Sequence, residues 1–283
     1  MDDQLRCEPA RGTGEEHGEM RVAPKSRIPL FMVHGNGVDH RILKPLEAEL
    51  ANAQIFDLHY VDLPGFGTCP PLGNPGGLPE LANWLEELIR QTAGEGPFAL
   101  LGNSLGALLC QEMADRFPGQ AQGLFLLAPV VFPDASRRTV PEAQVVVADP
   151  GLLARIDPRQ AQQFSDIAVV QSQQAWQSFA QWVLPGLDCA NLRSMAKLSK
   201  RYFLDPLPVE RKRQLDIPVT ILCGKQDHIT GYRDPEQLSR RYPSMRIRVL
   251  DSAGHNVHLE QPEQAAAELR DWAHRTGRMN EPA

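Results

Sequence analysis

Short runs of consecutive apolar residues recur along this chain, and each run predicts a strand in the interior of a sheet. The run from Ile28 to Val33 is the first of them. A strand of a parallel sheet is buried on both faces, so its residues are continuously apolar and do not alternate with polar ones. Comparable runs predict five more strands, at residues 54–61, 97–101, 123–128, 217–223 and 245–250.

Apolar residues spaced three or four apart between these runs predict helices. One helix is predicted at residues 78–92, where five apolar side chains share a face: Leu81, Trp84, Leu85, Leu88 and Ile89. Others are predicted from Leu105 to just before Pro118, which ends the pattern, and at residues 262–274. Because strands alternate with helices, we predict an α/β protein whose mostly parallel central sheet is flanked by helices.

Residues 130–208 interrupt this alternation. They contain no run that predicts a buried strand, but apolar residues such as Phe164, Trp176 and Phe179 follow helical spacing. We therefore predict a helical cap that is inserted into a core formed by residues 26–129 and 209–277. The alternative is disorder, since eight glutamines lie between positions 160 and 181. Residues 1–25 are predicted to be a flexible tail with a short edge strand near Val22.

The segment Gly102-Asn103-Ser104-Leu105-Gly106 is the strongest candidate for chemistry. A G-x-S-x-G turn between a strand and a helix exposes its serine, and the glycines allow strand and helix to approach closely. The helix that begins after Ser104 also presents free backbone N–H groups to a developing negative charge. The alternative is an ordinary strand-turn-helix unit with an exposed serine.

Several other segments occur in a characteristic order around this turn. A serine turn, a later aspartate and a final histidine follow one another in the order of the α/β-hydrolase triad. With these segments the chain resembles the capped, esterase-like branch of the α/β-hydrolase superfamily over residues 28–275, and the resemblance implies an α/β-hydrolase fold with a helical cap. The segments that carry it are His34-Gly35-Asn36-Gly37, Asp62-Leu63-Pro64-Gly65-Phe66-Gly67, Cys223-Gly224-Lys225-Gln226-Asp227 and Gly254-His255 with the residues up to Glu263.

This resemblance implies a role for each matching residue. Ser104 would be the nucleophile, His255 would accept and return its proton, and Asp227 would orient His255. The backbone N–H groups of Asn36 and Leu105 would form the oxyanion hole. The triad needs no cofactor, and no cluster with metal-ligand spacing is present, so we expect neither a cofactor nor a metal.

Alternatives remain for several charged residues. Asp134, which follows an earlier strand, is the other candidate for the triad acid. Arginine and lysine residues of the predicted cap would either bind a substrate carboxylate or form solvated surface: Arg137, Arg138, Arg193, Lys197 and Arg201. The remaining candidates are interpreted as structural: Asp62 as the residue that fixes its turn, His34 as a brace of the oxyanion loop, Asp39 and His40 as an exposed loop, and His228 and His258 as bystanders.

Departures from related patterns narrow the expected reaction. Epoxide hydrolases and haloalkane dehalogenases of this fold have aspartate where this chain has Ser104, and meta-cleavage hydrolases usually have tryptophan where it has Asn256. A glutamine-rich cap also differs from the apolar lid of lipases. We therefore predict a serine esterase that cleaves a small or medium carboxylic ester or thioester through an acyl-enzyme. The alternatives are a C–C bond hydrolase or lyase with the same triad, and a ligand-binding homologue without turnover.

Composition limits the partners. The net charge of -6 provides no basic field for nucleic acid. No stretch approaches the ~20 apolar residues of a membrane span, and we see no secretory signal. The five cysteines are odd in number and lack zinc or redox spacing, so we expect reduced, unpaired thiols in the cytoplasm. The expected partner is a small ester-like substrate, without nucleic acid or membrane, for a monomer or homodimer.

Overall fold

Seven strands form one sheet in the computed structural model, which describes residues 10–11 and 27–279. Their order is β1-β3-β2-β4-β5-β6-β7, with β1 antiparallel to β3 at one edge and β2 to β7 parallel throughout. The strands are β1 (Ala10–Arg11), β2 (Ile28–Val33), β3 (Phe56–Val61), β4 (Phe98–Asn103), β5 (Ala121–Leu127), β6 (Val219–Gly224) and β7 (Arg246–Leu250). The expected fold class is confirmed. Apart from Ala10 and Arg11, the predicted tail lies outside the described residues.

Helices flank the sheet as the apolar spacing predicts. They are α1 (Glu47–Ala53), α2 (Leu78–Ala93), α3 (Leu105–Arg116), α4 (Pro150–Leu153), α5 (Pro158–Ser165), α6 (Gln173–Trp182), α7 (Leu184–Cys189), α8 (Leu192–Lys200), α9 (Val257–Glu260) and α10 (Pro262–Met279). Helix α1 was not expected, because Leu50 is its only buried side chain and leaves no periodic signal. None of the helices in the described part is long and apolar enough to cross a bilayer.

The sheet separates two hydrophobic cores. On one face α2 and α3 pack against the strands, and ten of the twelve residues of α3 are buried. On the other face α10 packs through Leu269 and Trp272, whose ring stacks on Phe56 at 5.3 Å between centroids. Because α3 is buried on nearly all sides, its position against β4 is fixed, and so is the turn between the two elements.

Residues 130–208, which we call the insertion, are helical where the apolar spacing predicts it. Helices α4 to α8 all lie between β5 and β6. The side chains of Asp149, Asp157, Ser172 and Asn191 accept backbone N–H groups at the starts of α4, α5, α6 and α8, which explains where these helices begin. Disorder is therefore the wrong interpretation of the glutamine-rich stretch. That the insertion acts as a cap remains a prediction.

One expectation about the cysteines is wrong. Cys69 is disulfide-bonded, whereas Cys110, Cys189 and Cys223 are free. A disulfide whose cysteines do not form a spaced motif leaves no signature in a single sequence, so the odd count did not reveal it.

Helix α3 is fixed to the chain on either side of β6 by a partly buried ion network. Asp115 accepts hydrogen bonds from Arg241, which is fully buried, and from Arg211 at 2.7 Å. Glu112 accepts from Arg116 at 2.8 Å and from Arg211 at 2.5 Å. Two further nitrogens of Arg241 have no hydrogen-bond partner among the described residues. Asp115 is therefore the main compensation for a buried positive charge.

We expect Asp115→Asn to lower the free energy of unfolding by about 3–5 kcal/mol, because it leaves the Arg241 charge buried without a carboxylate. Urea denaturation measures this change. Asp271→Asn is the matched control, since Asp271 pairs with Arg246 and Arg275 while 43% exposed and should cost less than about 1 kcal/mol. Equal, small losses in both variants would contradict the role of Asp115.

Candidate active site

Ser104 occupies a strained turn between β4 and α3. Its backbone has φ 53° and ψ −112°, a conformation that non-glycine residues rarely adopt. A side chain at Gly102 would place its Cβ 2.6 Å from the backbone of Ala107, and one at Gly106 would place it 2.1 Å from the carbonyl oxygen of Val33. Both glycines are therefore required by close packing, as the sequence predicts.

Backbone hydrogen bonds hold this turn from several sides. The N–H of Ser104 donates to the carbonyl of Leu127 at 2.8 Å, and the Ser104 carbonyl accepts from Val130 at 3.2 Å. The same carbonyl accepts from Ala107 and Leu108 in the first turn of α3. Leu105 is the first residue of α3, so its N–H has no partner within the helix. The end of β5 thus supports the strained serine directly.

Asp227 and His255 lie in contact beside this turn. Asp227 follows β6, is fully buried, and its Oδ2 lies 3.0 Å from Nδ1 of His255. Burial raises the pKa of Asp227, but the neighbouring His255 and hydrogen bonds from His255 and Thr230 outweigh it and hold the pKa below its ordinary value. An ionised carboxylate only accepts hydrogen bonds, so Nδ1 of His255 carries the hydrogen of this bond, and in the neutral ring Nε2 is the nitrogen that accepts a proton.

Thr230 completes the surroundings of Asp227 and was not found from the sequence. Its hydroxyl donates to Oδ2 of Asp227 at 2.7 Å and lies 3.4 Å from Nδ1 of His255. The N–H groups of Ile229 and Thr230 donate to Oδ1 at 2.9 and 3.0 Å. An aspartate that accepts amides two and three residues on is an Asx-type turn. The only sequence signal was thus the Asp-x-x-Thr spacing.

The structure does not bring Asp134 into this arrangement. Asp134 is exposed, and its Oδ1 accepts from the N–H of Ser136 at 2.9 Å and from its hydroxyl at 2.7 Å. Asp134 therefore caps a short turn after β5. His255 Nδ1 is bonded to Asp227 instead, which favours Asp227 over Asp134 as the acid.

The loop 34–37 is held against the neighbouring turn by His34. The Nε2 of this buried ring accepts the N–H of Leu63 at 2.9 Å, so its Nδ1 carries the hydrogen that is donated to the carbonyl of Gly35 at 2.7 Å. Burial lowers the pKa of His34, consistent with a neutral ring. Both ring nitrogens of His34 are thus occupied by backbone groups, and the ring shapes the loop that presents Asn36.

Asp39 and His40 do not form the exposed loop that we expected. Asp39 is fully buried and binds the Arg41 guanidinium through both oxygens, and Arg41 also donates to the carbonyl of Pro185 in α7. The Nδ1 of His40 lies 2.8 Å from Oδ1 of Asp62. Ligand atoms of Asp39, His40 and Asp62 lie within 4.8 Å of one another, but Arg41 and His40 already occupy the carboxylates, so we assign no metal site there.

Asp62 makes stability depend on pH. Burial raises its pKa, but hydrogen bonds from the side chain and the N–H of His40 outweigh this and lower the pKa to about 2 from 3.8. The folded state therefore keeps Asp62 ionised where the unfolded chain binds a proton. Its stabilisation is complete above about pH 4 and is lost as pH falls towards 2.

Between about pH 5 and pH 2 the free energy of unfolding should fall by about 2 kcal/mol more in the wild type than in Asp62→Asn. Urea denaturation at the two pH values measures the difference. The exposed Asp188, which lies 3.7 Å from Arg159, provides the control variant Asp188→Asn. An unchanged pH dependence in Asp62→Asn would show that His40 does not hold this carboxylate ionised.

His258 and His228, which we interpreted as bystanders, bond to backbone carbonyl groups. Nε2 of His258 donates to the carbonyl of Ile42 at 2.8 Å, and burial lowers its pKa to about 4. Nε2 of His228 lies 3.0 Å from the carbonyl of Asp166 in the insertion. Glu260 also joins the insertion to the histidine loop, because it accepts the N–H groups of Val169 at 2.8 Å and of Gly254 at 2.6 Å.

Two adjoining cavities meet at Ser104 and His255. The first, which we call the apolar lobe, has a volume of about 290 Å³ and is lined mainly by apolar side chains, including Val38, Ile42, Phe179, Val183 and Leu187. The second, which we call the polar lobe, has a volume of about 630 Å³ and includes Asp134, Arg138, Lys200, Tyr202, Phe203 and Thr230. Asn36, Ile167 and Ile229 also line both.

The aromatic residues of α5 and α6 differ in whether they reach a cavity. Phe179 lines the apolar lobe. Trp176 packs on Phe164 and Phe179, with ring centroids 5.4 and 6.2 Å apart, and Trp182 packs against the same core. Neither tryptophan lines a lobe, and both are partly buried against this core.

Comparisons with known proteins agree with this architecture. A profile of the alpha/beta hydrolase family matches residues 30–269. Pimeloyl-[acyl-carrier protein] methyl ester esterase from Shewanella woodyi is 25% identical over 248 residues, covering 86% of this chain and 93% of that protein. The protein of the same name from Shewanella sp. (strain MR-7) is 36% identical over 99 residues, covering 35% of this chain and 34% of that protein. The chain thus spans only about a third of that relative's length.

A solved structure has the same overall architecture. The crystal structure of an alpha/beta superfamily hydrolase from Oenococcus oeni PSU-1 superimposes with a TM-score of 0.80 at 24% identity. The superposition covers 89% of this chain and 93% of that chain. At this level of sequence identity, the similarity shows a shared fold and nothing further.

Proposed function

This chain belongs to the α/β hydrolase family, and we propose that it is a serine hydrolase that cleaves small or medium carboxylic esters through an acyl-enzyme. The observation that carries the proposal is the arrangement at the junction of the two lobes. There a strained, buried Ser104 and a His255 held by ionised Asp227 line the same cavity. Ser252 also has a positive φ, but it lines neither lobe, whereas Ser104 lines both.

The first half of the proposed reaction forms the acyl-enzyme. Oγ of Ser104 attacks the ester carbonyl carbon while Nε2 of His255 takes the hydroxyl proton. The carbonyl oxygen becomes an oxyanion, which accepts hydrogen bonds from the N–H groups of Asn36 and Leu105. His255 then gives the proton to the leaving alcohol oxygen as its bond to carbon breaks.

The second half releases the acid. A water molecule takes the place of the alcohol, gives a proton to Nε2 of His255, and attacks the acyl carbon. The new tetrahedral species collapses, and His255 returns the proton to Oγ of Ser104. Asp227 keeps its negative charge throughout and stabilises the imidazolium that forms in each half. Thr230 and the two amides keep Asp227 in place.

The shape of the lobes and the relatives together support an ester as substrate. The apolar lobe has room for a short hydrocarbon chain, because apolar side chains line most of its about 290 Å³. Relatives named methyl ester esterases favour an oxygen ester over a thioester or a C–C bond. We therefore propose an ester whose hydrocarbon part enters the apolar lobe.

Turnover of p-nitrophenyl esters of increasing acyl length tests this function. We expect steady release of nitrophenol and, in acid-quenched samples, a peptide containing Ser104 whose mass has increased by the acyl group. Absence of turnover with every ester would favour the ligand-binding alternative. If turnover occurs but no acylated Ser104 is found when acyl-enzyme hydrolysis is slow enough for the intermediate to accumulate, the acyl-enzyme mechanism is contradicted.

Phe179 is expected to set the preferred chain length. Phe179→Ala enlarges the apolar lobe, so the ratio of kcat/KM for a longer ester over that for an acetate should rise about tenfold. Trp176→Ala is the matched control, because Trp176 packs beside Phe179 in α6 but does not line the lobe. A proportional loss for all esters in both variants would mean that Phe179 acts only through packing.

A further inference from the structure

The polar lobe contains a positive charge that the proposed reaction does not use. Arg138 lies on its wall, in the segment that follows β5. Its Nε donates to the carbonyl of Phe132 at 2.8 Å, its Nη2 to that of Pro133 at 2.9 Å, and its Nη1 to that of Ile229 at 3.1 Å. A guanidinium has five N–H donors, so these bonds fix its plane and leave two donors uncommitted.

No carboxylate among the described residues bonds to this guanidinium. Asp134 interacts with it at longer range, because hydrogen bonds from Ser136 and then the charges of Arg137 and Arg138 lower the Asp134 pKa. Within the described ranges Arg138 forms no ion pair, since its three partners are carbonyl groups, which orient a charge without cancelling it. The adjacent Arg137 differs in this respect, because its Nη2 pairs with Oε1 of Glu210 at 2.9 Å and its guanidinium stacks over the ring of Phe132. Arg137 also lies outside the lining of the polar lobe.

The other charged groups of the lobe leave it positive. Lys200 is exposed at the end of α8 and has no ion-pair partner in the part of the chain that the structure describes. Asp134 is the one carboxylate in the lining, and it accepts both the N–H and the hydroxyl of Ser136. The lobe therefore carries one positive charge in excess.

We propose that the polar lobe binds a carboxylate group of the substrate and that Arg138 is the residue that selects it. The proposal rests on the ester hydrolysis proposed above, because the same lobe contains Ser104 and His255. A carboxylate carries a single negative charge, which equals the excess of the lobe, and its two oxygens match the two uncommitted donors of a fixed guanidinium. A phosphate dianion would exceed the available charge.

The two lobes then hold different parts of one molecule. The hydrocarbon part occupies the apolar lobe, the carboxylate lies against Arg138, and the ester between them reaches Ser104. The substrate class is a half-ester or an ester of a carboxyl-bearing alcohol. Since hydrogen bonds to charged groups are stronger than neutral ones, we expect Arg138 to favour such a substrate by about tenfold to a hundredfold over its uncharged analogue.

Matched pairs of esters test the proposal. Mono-p-nitrophenyl glutarate and its methyl-capped analogue differ by a carboxylate on the acyl side, and 4-acetoxybenzoate and its methyl ester differ by one on the leaving group. The readout is the ratio of kcat/KM for the charged ester over that for the neutral ester. In Arg138→Gln this ratio should fall about tenfold to a hundredfold in one of the two pairs, which also identifies the side that enters the polar lobe.

Two further variants sharpen the result. Arg137→Gln removes the adjacent, paired arginine and should keep the wild-type ratio. Arg138→Lys keeps the charge without the planar fork and should give an intermediate ratio. If Arg138→Gln does not fold, the wild-type ratio itself is measured as the ionic strength is raised, and it should fall because salt screens the attraction.

The outcomes separate the two proposals. The carboxylate site would be overturned, while ester hydrolysis stands, if Arg138→Gln left the kcat/KM ratio unchanged for both pairs. The same conclusion would follow if the wild-type ratio did not change with salt concentration. A wild type that hydrolyses none of the four esters would overturn the proposed function itself.

Discussion

Replacing Ser104 with alanine is expected to lower kcat for ester hydrolysis by about 10⁶-fold while leaving the fold intact. The strained turn fixes the backbone whichever side chain it carries, and alanine fits wherever serine does. Without Oγ the acyl-enzyme does not form, and only the oxyanion hole and substrate binding still contribute. Initial rates with p-nitrophenyl acetate measure the loss.

A fluorophosphonate probe provides an independent measurement. It should label the wild type at Ser104 and leave Ser104→Ala unlabelled. Ser136→Ala is the control for removing a serine hydroxyl, because Ser136 is exposed and bonds only to the turn of Asp134. Labelling at another serine, together with preserved turnover in Ser104→Ala, would overturn the assignment.

The second large effect is expected from Asp227→Asn, which should lower kcat by about 10⁴-fold. The amide of asparagine presents N–H where the carboxylate oxygen now accepts from Nδ1, so the histidine ring would favour the tautomer that carries its proton on Nε2. In that tautomer Nε2 does not accept the proton of Ser104.

Asp134→Asn is the matched control for this loss. Asp134 lies in the polar lobe but bonds to Ser136, so its substitution should change kcat less than tenfold. Circular dichroism and urea denaturation would establish that both variants remain folded. If Asp134→Asn lost most of its activity and Asp227→Asn lost little, Asp134 would be the acid of the triad.

The sheet and the elbow could be predicted from the sequence because both depend on local patterns. A continuous apolar run such as Ile28–Val33 predicts its own burial, and β2 has those bounds. Gly102 and Gly106 flank Ser104 because strand and helix nearly touch, and this requirement appears directly as a motif. Ser104, Asp227 and His255 each follow a predicted strand, so the sequence also indicated that all three lie at the same edge of the sheet.

Other features could not be predicted because they arise only from tertiary contacts. Thr230 contacts Asp227 through a turn whose four residues resemble many others. The burial of Asp39 left no local signal, because its partner Arg41 is anchored on the carbonyl of Pro185, 144 residues away in the chain. The roles of Arg137 and Arg138 could not be told apart either. What distinguishes Arg138 is the set of carbonyl groups to which it donates, and one of these, that of Ile229, is distant in the chain.

The backbone at the end of β5 connects Ser104 with Asp227. Leu127 and Val130 bond to the main chain of Ser104, and the carbonyl of Ala128 lies 3.2 Å from the hydroxyl of Thr230, which also holds Asp227. These links come from residues 127–130, at the start of the insertion, and involve none of its helices. The main chain that holds Ser104 and Asp227 is therefore independent of helices α4 to α8, whereas residues 166–170 contact His228 and Glu260 beside the proposed acid and base. Directed evolution of substrate range should accordingly vary residues 135–165 and 171–208 and leave 127–130 and 166–170 unchanged.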